Sequence, residues 1–130
     1  MHLIRTFKRK PAEVSRARRF VADALERAGR QPPHDVMLVT SELVSNAVIH
    51  GVEPVEVHLQ LEDDALHLEV HDAGCAEIDV PSMPSFGALG GRGLPLVAAI
   101  TRSCGAHLDD RGHTTVWAEF PAPSTGGLQR

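Results

Sequence analysis

Apolar residues recur at helical spacing in two stretches near the start of the chain. In residues 11–28 they share one helical face, with arginines around the rest: Val14, Ala17, Val21, Ala24, Leu25 and Ala28. Residues 34–50 repeat the spacing at Val36, Val39, Leu43 and Ala47. Prolines precede both stretches, and Gly29 and Gly51 follow them, as at helix ends. The pattern predicts two amphipathic helices.

After residue 54 the apolar residues alternate with polar ones, which is typical of strands with one buried face. The alternation runs through residues 55–61 and 66–72, with a turn over residues 62–65. Its apolar members are Val55, Val57, Leu59, Leu61, Leu66, Leu68 and Val70. Asp72 has the same parity, so we expect its carboxylate on the apolar face.

The polar face of this predicted hairpin is rich in histidine and glutamate. Antiparallel pairing places Glu56 opposite His71, His58 opposite Glu69, and Gln60 opposite His67. The spacing of these residues along the sequence does not match a metal-binding motif. We therefore expect cross-strand ion pairs on a solvated face.

The rest of the chain alternates less regularly. Residues 75–90 hold two prolines and two glycines without any period, which is typical of a lid, a binding loop or a disordered segment. We predict a helix over residues 92–102, strands over 106–109 and 114–120, and a weaker first strand over 3–7. This order predicts an α+β fold, a two-layer sandwich with helices on one face of a mixed, mostly antiparallel sheet. Residues 1–121 form one domain in this interpretation, and residues 122–130 a disordered tail.

Composition and charge narrow the function classes. Apolar residues make up 42% of the chain and charged residues 23%, enough for a buried core. The sequence has neither a membrane-length apolar run nor a signal peptide, and only two cysteines, so we expect a cytoplasmic protein. A net charge of −4 argues against a nucleic-acid binder. Residues 1–30 nevertheless carry nine basic and three acidic residues, which suggests that the first helix docks a partner.

Three short motifs combine residues that can bind a ligand. Glu42 and Asn46 lie four apart in the second helix and so share a face. A buried Asp72 needs a hydrogen-bond donor, and Gly74 allows a flat ligand to approach the backbone. Residues 90–94, Gly-Gly-Arg-Gly-Leu, precede a helix, where free N–H groups can hold phosphate. Taken singly, the first motif is more often an exposed surface pair and the third a flexible hinge, and the second can be a turn that closes the strand.

Together and in this order, the motifs resemble the GHKL ATPase superfamily (HATPase_c type), and within it the RsbW-like anti-sigma factor serine/threonine kinases. Glu42 to Asn46 resembles the N box of that family, and Asp72-Ala-Gly74 its G1 box. Residues 91–94, Gly-Arg-Gly-Leu, resemble the G2 box, and residues 113–117 the strand that closes the adenine pocket. The resemblance covers roughly residues 10–121.

The resemblance implies ATP and Mg²⁺ as cofactors and a role for each matching residue. Glu42 would be the general base, Asn46 would bind Mg²⁺, and Asp72 would accept a hydrogen bond from the adenine amino group. The other residues implied in ATP binding are Gly74, Gly91, Arg92, Gly93, Leu94 and Thr114. Two positions depart from the family pattern, since Ala76 and His113 stand where glycine is usual.

The resemblance also implies a function. It is that of an anti-sigma factor kinase that phosphorylates a serine or threonine of a STAS-type anti-sigma factor antagonist and sequesters a sigma factor. Direct contact with nucleic acid or a membrane is not implied, and a homodimer is compatible with this role. The alternative is a catalytically silent, nucleotide-gated module that only binds its partner. Retention of Glu42 favours the kinase.

Overall fold

The computed structural model describes residues 1–74, 93–110 and 112–125. Within these ranges the helices are α1 (Ala12–Arg27), α2 (His34–His50) and α3 (Gly93–Ile100). The strands are β1 (His2–Phe7), β2 (Val55–Leu61), β3 (Ala65–Asp72), β4 (Ser103–Leu108) and β5 (Thr114–Pro121). The predicted lid, residues 75–90, lies outside the described residues.

The strands form one open sheet in the order β1-β2-β3-β5-β4. All four pairings between the described strands are antiparallel, which agrees with the predicted mostly antiparallel sheet. The pairing of β1 with β2 has a simple cause. Helices α1 and α2 carry the chain away from the end of β1 and back again, so that Phe7 pairs with Val55 and β2 runs in the opposite direction.

The helices cover one face of the sheet, as expected for the predicted two-layer α+β fold. α1 packs on α2, and α2 packs on β2, β3 and β5. The predicted apolar stripe of α2 is buried throughout. In α1, Phe20 and Glu13 are also buried, whereas Ala28 is exposed beyond the helix end. None of the helices in the described ranges is long and apolar enough to span a membrane.

The central strands confirm the predicted alternation and register. The predicted apolar residues of β2 and β3 are buried, and Glu56 pairs with His71 across the two strands. The expected ion pairs across the strands are wrong, because the ion pairs that form run along a single strand. β4 begins at Ser103, three residues earlier than predicted, because pairing with β5 extends it through residues that lack an apolar pattern.

The segment after β5 stays attached to the helical layer. Pro123 is buried, the guanidinium of Arg30 donates to its carbonyl at 2.8 Å, and the N–H of Gln31 donates to the carbonyl of Ser124 at 2.9 Å. These contacts hold residues 123–124 against the segment that joins α1 to α2. Residues 126–130 of the predicted tail lie outside the described residues.

Candidate functional site

The candidate site is built around Asp72, the last residue of β3. Its side chain points to the helical face and is only 7% exposed, as the strand parity predicts. The backbone N–H of Gly74 donates to Asp72 Oδ1 at 2.6 Å. The next backbone contact ties the strand end to the loop after α2, where the N–H of Ala73 donates to the carbonyl of Val52 at 2.8 Å. The backbone therefore supplies hydrogen-bond donors to a carboxylate for which the sequence showed none.

Burial raises the pKa of Asp72, although hydrogen bonds from the backbone of Gly74 and Val52 and the charges of His113 and Arg9 act in the opposite direction. The charged form is therefore disfavoured at this position in the absence of a ligand. A carboxylate held where its charge is costly is typical of a binding or catalytic site.

Two glycines leave room beside this carboxylate. A Cβ on Gly51 would lie 2.8 Å from Asp72 Oδ2 and 2.6 Å from the carbonyl oxygen of Ala47. Both distances are shorter than van der Waals contact allows, so a larger residue would not fit at this position. Gly74 has a φ of +84°, and a Cβ there would overlap the carbonyl of Gly112. The end of α2 and the turn before β5 thus meet at the end of β3, and both contacts require glycine.

Thr114 faces Asp72 from the neighbouring strand. The two residues are paired in register between β3 and β5, and Thr114 is 2% exposed. Its Oγ1 has no hydrogen-bond partner among the residues that the structure describes. Because an unpaired buried hydroxyl is costly, this position beside Asp72 suits a polar group that bonds to it.

Glu42 and Asn46 lie on the flank of α2 that is neither fully buried nor fully exposed. Neither side chain forms a hydrogen bond or ion pair within the described ranges. The helical rise places them about 6 Å apart along the axis, with Asn46 about 7.5 Å from Gly51. The two polar side chains therefore extend away from the Asp72 end of the site toward the first turns of α2.

The remaining predicted residues are only partly described. Gly93 and Leu94 form the start of α3, as the motif requires, while Gly91 and Arg92 lie outside the described residues. His113, which departs from the family pattern, is fixed in the turn before β5. Its backbone N–H donates to Asp109 Oδ1 at 2.9 Å, and its side-chain Nδ1 lies 3.8 Å from Asp109 Oδ2.

Residues 7–120 match the family described as the histidine kinase-like ATPase domain. The match covers most of the 130 residues, and the chain belongs to this family, within the GHKL superfamily. The antiparallel α+β fold is consistent with this family, and the family assignment indicates an ATP-binding domain. No curated protein matches the sequence.

Sequence reasoning missed the contacts of Gly51 and Gly112. In the sequence Gly51 is visible only as the end of a helix, and Gly112 only as part of a turn. Val52 was also missed; it is an exposed apolar residue next to the carboxylate, 42% accessible. The sequence did offer one indication of these residues. They lie immediately beside the predicted ends of helices and strands, and the loops at such ends often lie together at one edge of a sheet.

Proposed function

We propose that this chain is an ATP-binding anti-sigma factor that acts as a serine/threonine protein kinase on an anti-sigma factor antagonist. The observation that carries the nucleotide assignment is the buried Asp72 beside the hydroxyl of Thr114, which has no hydrogen-bond partner among the described residues. The carboxylate accepts hydrogen bonds only, so it suits the exocyclic amino group of adenine. The threonine hydroxyl both donates and accepts, so it can bond to a ring nitrogen or to a bridging water.

Asn46 fits the role of a Mg²⁺ ligand. Its amide oxygen is a hard donor of the type that Mg²⁺ prefers, and no described residue occupies it. When bound, the ion would neutralise charge on the phosphates of ATP. The position of Asn46 along α2 separates this end of the site from the adenine end at Asp72, as an extended nucleotide requires.

Glu42 is proposed as the general base. It would accept the proton of a serine or threonine hydroxyl of the antagonist as that oxygen attacks the γ-phosphorus. The bond from the γ-phosphorus to the β,γ-bridging oxygen breaks, and ADP leaves. The half-buried side chain of Glu42 lacks an ion-pair partner within the described ranges, which leaves its carboxylate free to take a proton. A silent, nucleotide-gated module would share the Asp72 site but would not depend on Glu42.

The basic helix α1 supports docking of a protein partner such as the sigma factor. Part of the positive charge of the first 30 residues is engaged within the protein, through Arg9, Arg16 and Arg30. Arg18 and Arg19 are exposed and have no ion pair among the described residues. We propose these two as the docking cations, because uncompensated charge steers association with an acidic surface.

Transfer of labelled γ-phosphate to purified antagonist proteins tests the kinase. Glu42→Ala is expected to lower the transfer rate by roughly 10²- to 10⁴-fold with little change in ATP affinity. Asn46→Ala should weaken binding of Mg-ATP itself. Glu26→Ala, which removes an exposed carboxylate on α1, is the matched control. Transfer by Glu42→Ala at the wild-type rate would exclude Glu42 as the general base, and no transfer by the wild type would favour the silent module.

Calorimetric titration with ATP and GTP tests the nucleotide site separately. Asp72→Asn keeps the size of the side chain but replaces one acceptor with a donor, so ATP affinity should fall and preference over GTP should weaken. Unchanged affinity and preference would exclude Asp72 as the adenine ligand.

A further inference from the structure

The face of the sheet opposite the helices carries a compact group of imidazoles and carboxylates. His58 Nε2 lies 3.0 Å from Glu56 Oε1 on β2. On β3, Glu69 lies between two histidines, 2.8 Å from His67 and 2.6 Å from His71. The rings of His58 and His71 stack across the two strands, with centroids 4.0 Å apart and planes 12° from parallel. The residues of this group therefore contact each other both along and across the strands.

Three of these side chains can offer ligand atoms to one ion. Glu56, His58 and His71 present a carboxylate oxygen and two imidazole nitrogens that all lie within 4.8 Å of one another. We propose that these three residues form a binding site for a divalent transition-metal ion, with Zn²⁺ the best-suited ion. This site is separate from the proposed nucleotide site, which lies on the other face of the sheet.

The chemistry of the ligand set favours zinc over magnesium. Two imidazoles and one carboxylate form a set that zinc sites use, with an open fourth position for water, whereas Mg²⁺ prefers oxygen ligands throughout. The strands also fix the ligands. β2 and β3 are internal strands, each paired on both sides, and Glu56 and His71 are directly opposite in register. Sites built on such elements are held more precisely than sites on loops.

Metal binding requires a small rearrangement of side chains. Ligand atoms around a tetrahedral zinc ion lie about 3.3 Å apart, given zinc–nitrogen bonds of about 2.0–2.1 Å. Two parallel rings cannot both direct a lone pair at one ion, so at least one imidazole must turn about its Cβ–Cγ bond. All three side chains are only half-buried, so this rotation needs no movement of the backbone.

Glu69 is placed to orient His71. Glu69 Oε1 contacts Nε2 of this ring, so Nδ1 is the nitrogen that would bind the ion, in exchange for its 3.4 Å contact with the Thr115 hydroxyl. A carboxylate hydrogen-bonded to a ligating imidazole is the usual outer partner in zinc sites. Glu69 also contacts His67, whose ring stacks on Trp117 with centroids 5.7 Å apart. Trp117 is the only tryptophan in the sequence, so its fluorescence reports on this group.

The test uses the full chain without an oligohistidine tag, stripped of metal and titrated with Zn²⁺ in a calorimeter while Trp117 fluorescence is followed. We expect one equivalent to bind with a Kd of 10 µM or tighter. Separate variants Glu56→Gln, His58→Gln and His71→Gln should each weaken binding at least tenfold. Mg²⁺ at millimolar concentration should not compete.

His107→Gln is the matched control. His107 pairs with Thr115 from β4, on the same face of the sheet, but does not belong to the ligand set. Its loss should leave the Kd for Zn²⁺ unchanged. Thermal unfolding and circular dichroism of each variant establish that the fold is retained.

Imidazole ¹H–¹⁵N spectra of the wild type give a readout that needs no variant. Zn²⁺ should shift the ring signals of His58 and His71 and leave that of His107 in place. The proposal is overturned if the wild type binds no Zn²⁺ at 100 µM, if His107→Gln weakens binding as much as His71→Gln, or if the shifted signals belong to other histidines.

Discussion

Thr114 offers a test in which stability and ligand binding should change in opposite directions. Its side chain is 2% exposed, and Oγ1 has no hydrogen-bond partner in the described part of the chain. Thr114→Val replaces this hydroxyl with a methyl group of similar size and keeps the β-branched shape that suits a strand. The perturbation therefore removes one polar atom and little else.

The magnitude follows from the burial of that atom. A buried hydroxyl without a partner costs about 1–3 kcal/mol, so the nucleotide-free variant should be more stable than the wild type by a value in or below this range. If the hydroxyl bonds to ATP, its loss removes about 0.5–1.5 kcal/mol of binding, which is roughly a 2- to 12-fold weaker Kd. A residue retained for ligand binding thus lowers the stability of the empty protein.

Urea unfolding with and without saturating Mg-ATP measures both effects on one sample. Thr115→Val is the matched control, because Thr115 is the next residue, is also buried, and has its hydroxyl 3.4 Å from His71 Nδ1 on the opposite face. That variant should gain no stability and should keep its ATP affinity. A Thr114→Val protein that is less stable than the wild type, or that binds ATP with undiminished affinity, would refute the reasoning.

Three further changes have clear expected outcomes. Gly74→Ala should lower the free energy of unfolding by more than about 2 kcal/mol in urea, because its left-handed φ alone costs about 1–2 kcal/mol and its Cβ would overlap Gly112. Burial raises the pKa of Glu69, but hydrogen bonds from two histidines outweigh it and hold that pKa below its ordinary value of 4.5. The stability that Glu69 contributes should therefore be full above pH 4.5 and lost as the pH falls through the lower folded-state pKa; Glu69→Gln should remove that dependence in acid unfolding. Arg9 donates to two carbonyls at the end of α2, so Arg9→Met should speed amide hydrogen exchange in residues 47–51 and leave exchange in β3 unchanged.

The features that the sequence predicts correctly are those that depend on local periodicity. The inward carboxylate of Asp72 follows from the alternation of β3, and the shared flank of Glu42 and Asn46 follows from helical spacing. The register of β2 with β3 also follows, because a short turn joins the two strands and fixes their pairing. Each of these inferences needs only neighbours within a few residues.

The features that the sequence could not supply depend on which elements meet in space. The burial of Thr114 beside Asp72 and the contact of Gly51 with Asp72 arise because the ends of α2, β3 and β5 converge at one edge of the sheet. The direction of the ion pairs is set by side-chain rotamers, so register alone did not reveal that His58 pairs along its strand with Glu56. Pairing with β5 likewise decides where β4 begins.

The strict alternation of β3 makes this segment intolerant of any change in length. Asp72 and His71 are neighbours in the chain but face opposite sides of the sheet, and Thr114 and Thr115 repeat this arrangement on β5. Deleting or inserting one residue between positions 66 and 72 would exchange the two faces downstream of the change. It would move the carboxylate to the outer surface and bring an imidazole into the apolar layer. We therefore expect natural variation in this segment to occur by substitution, with length changes confined to the loops on either side.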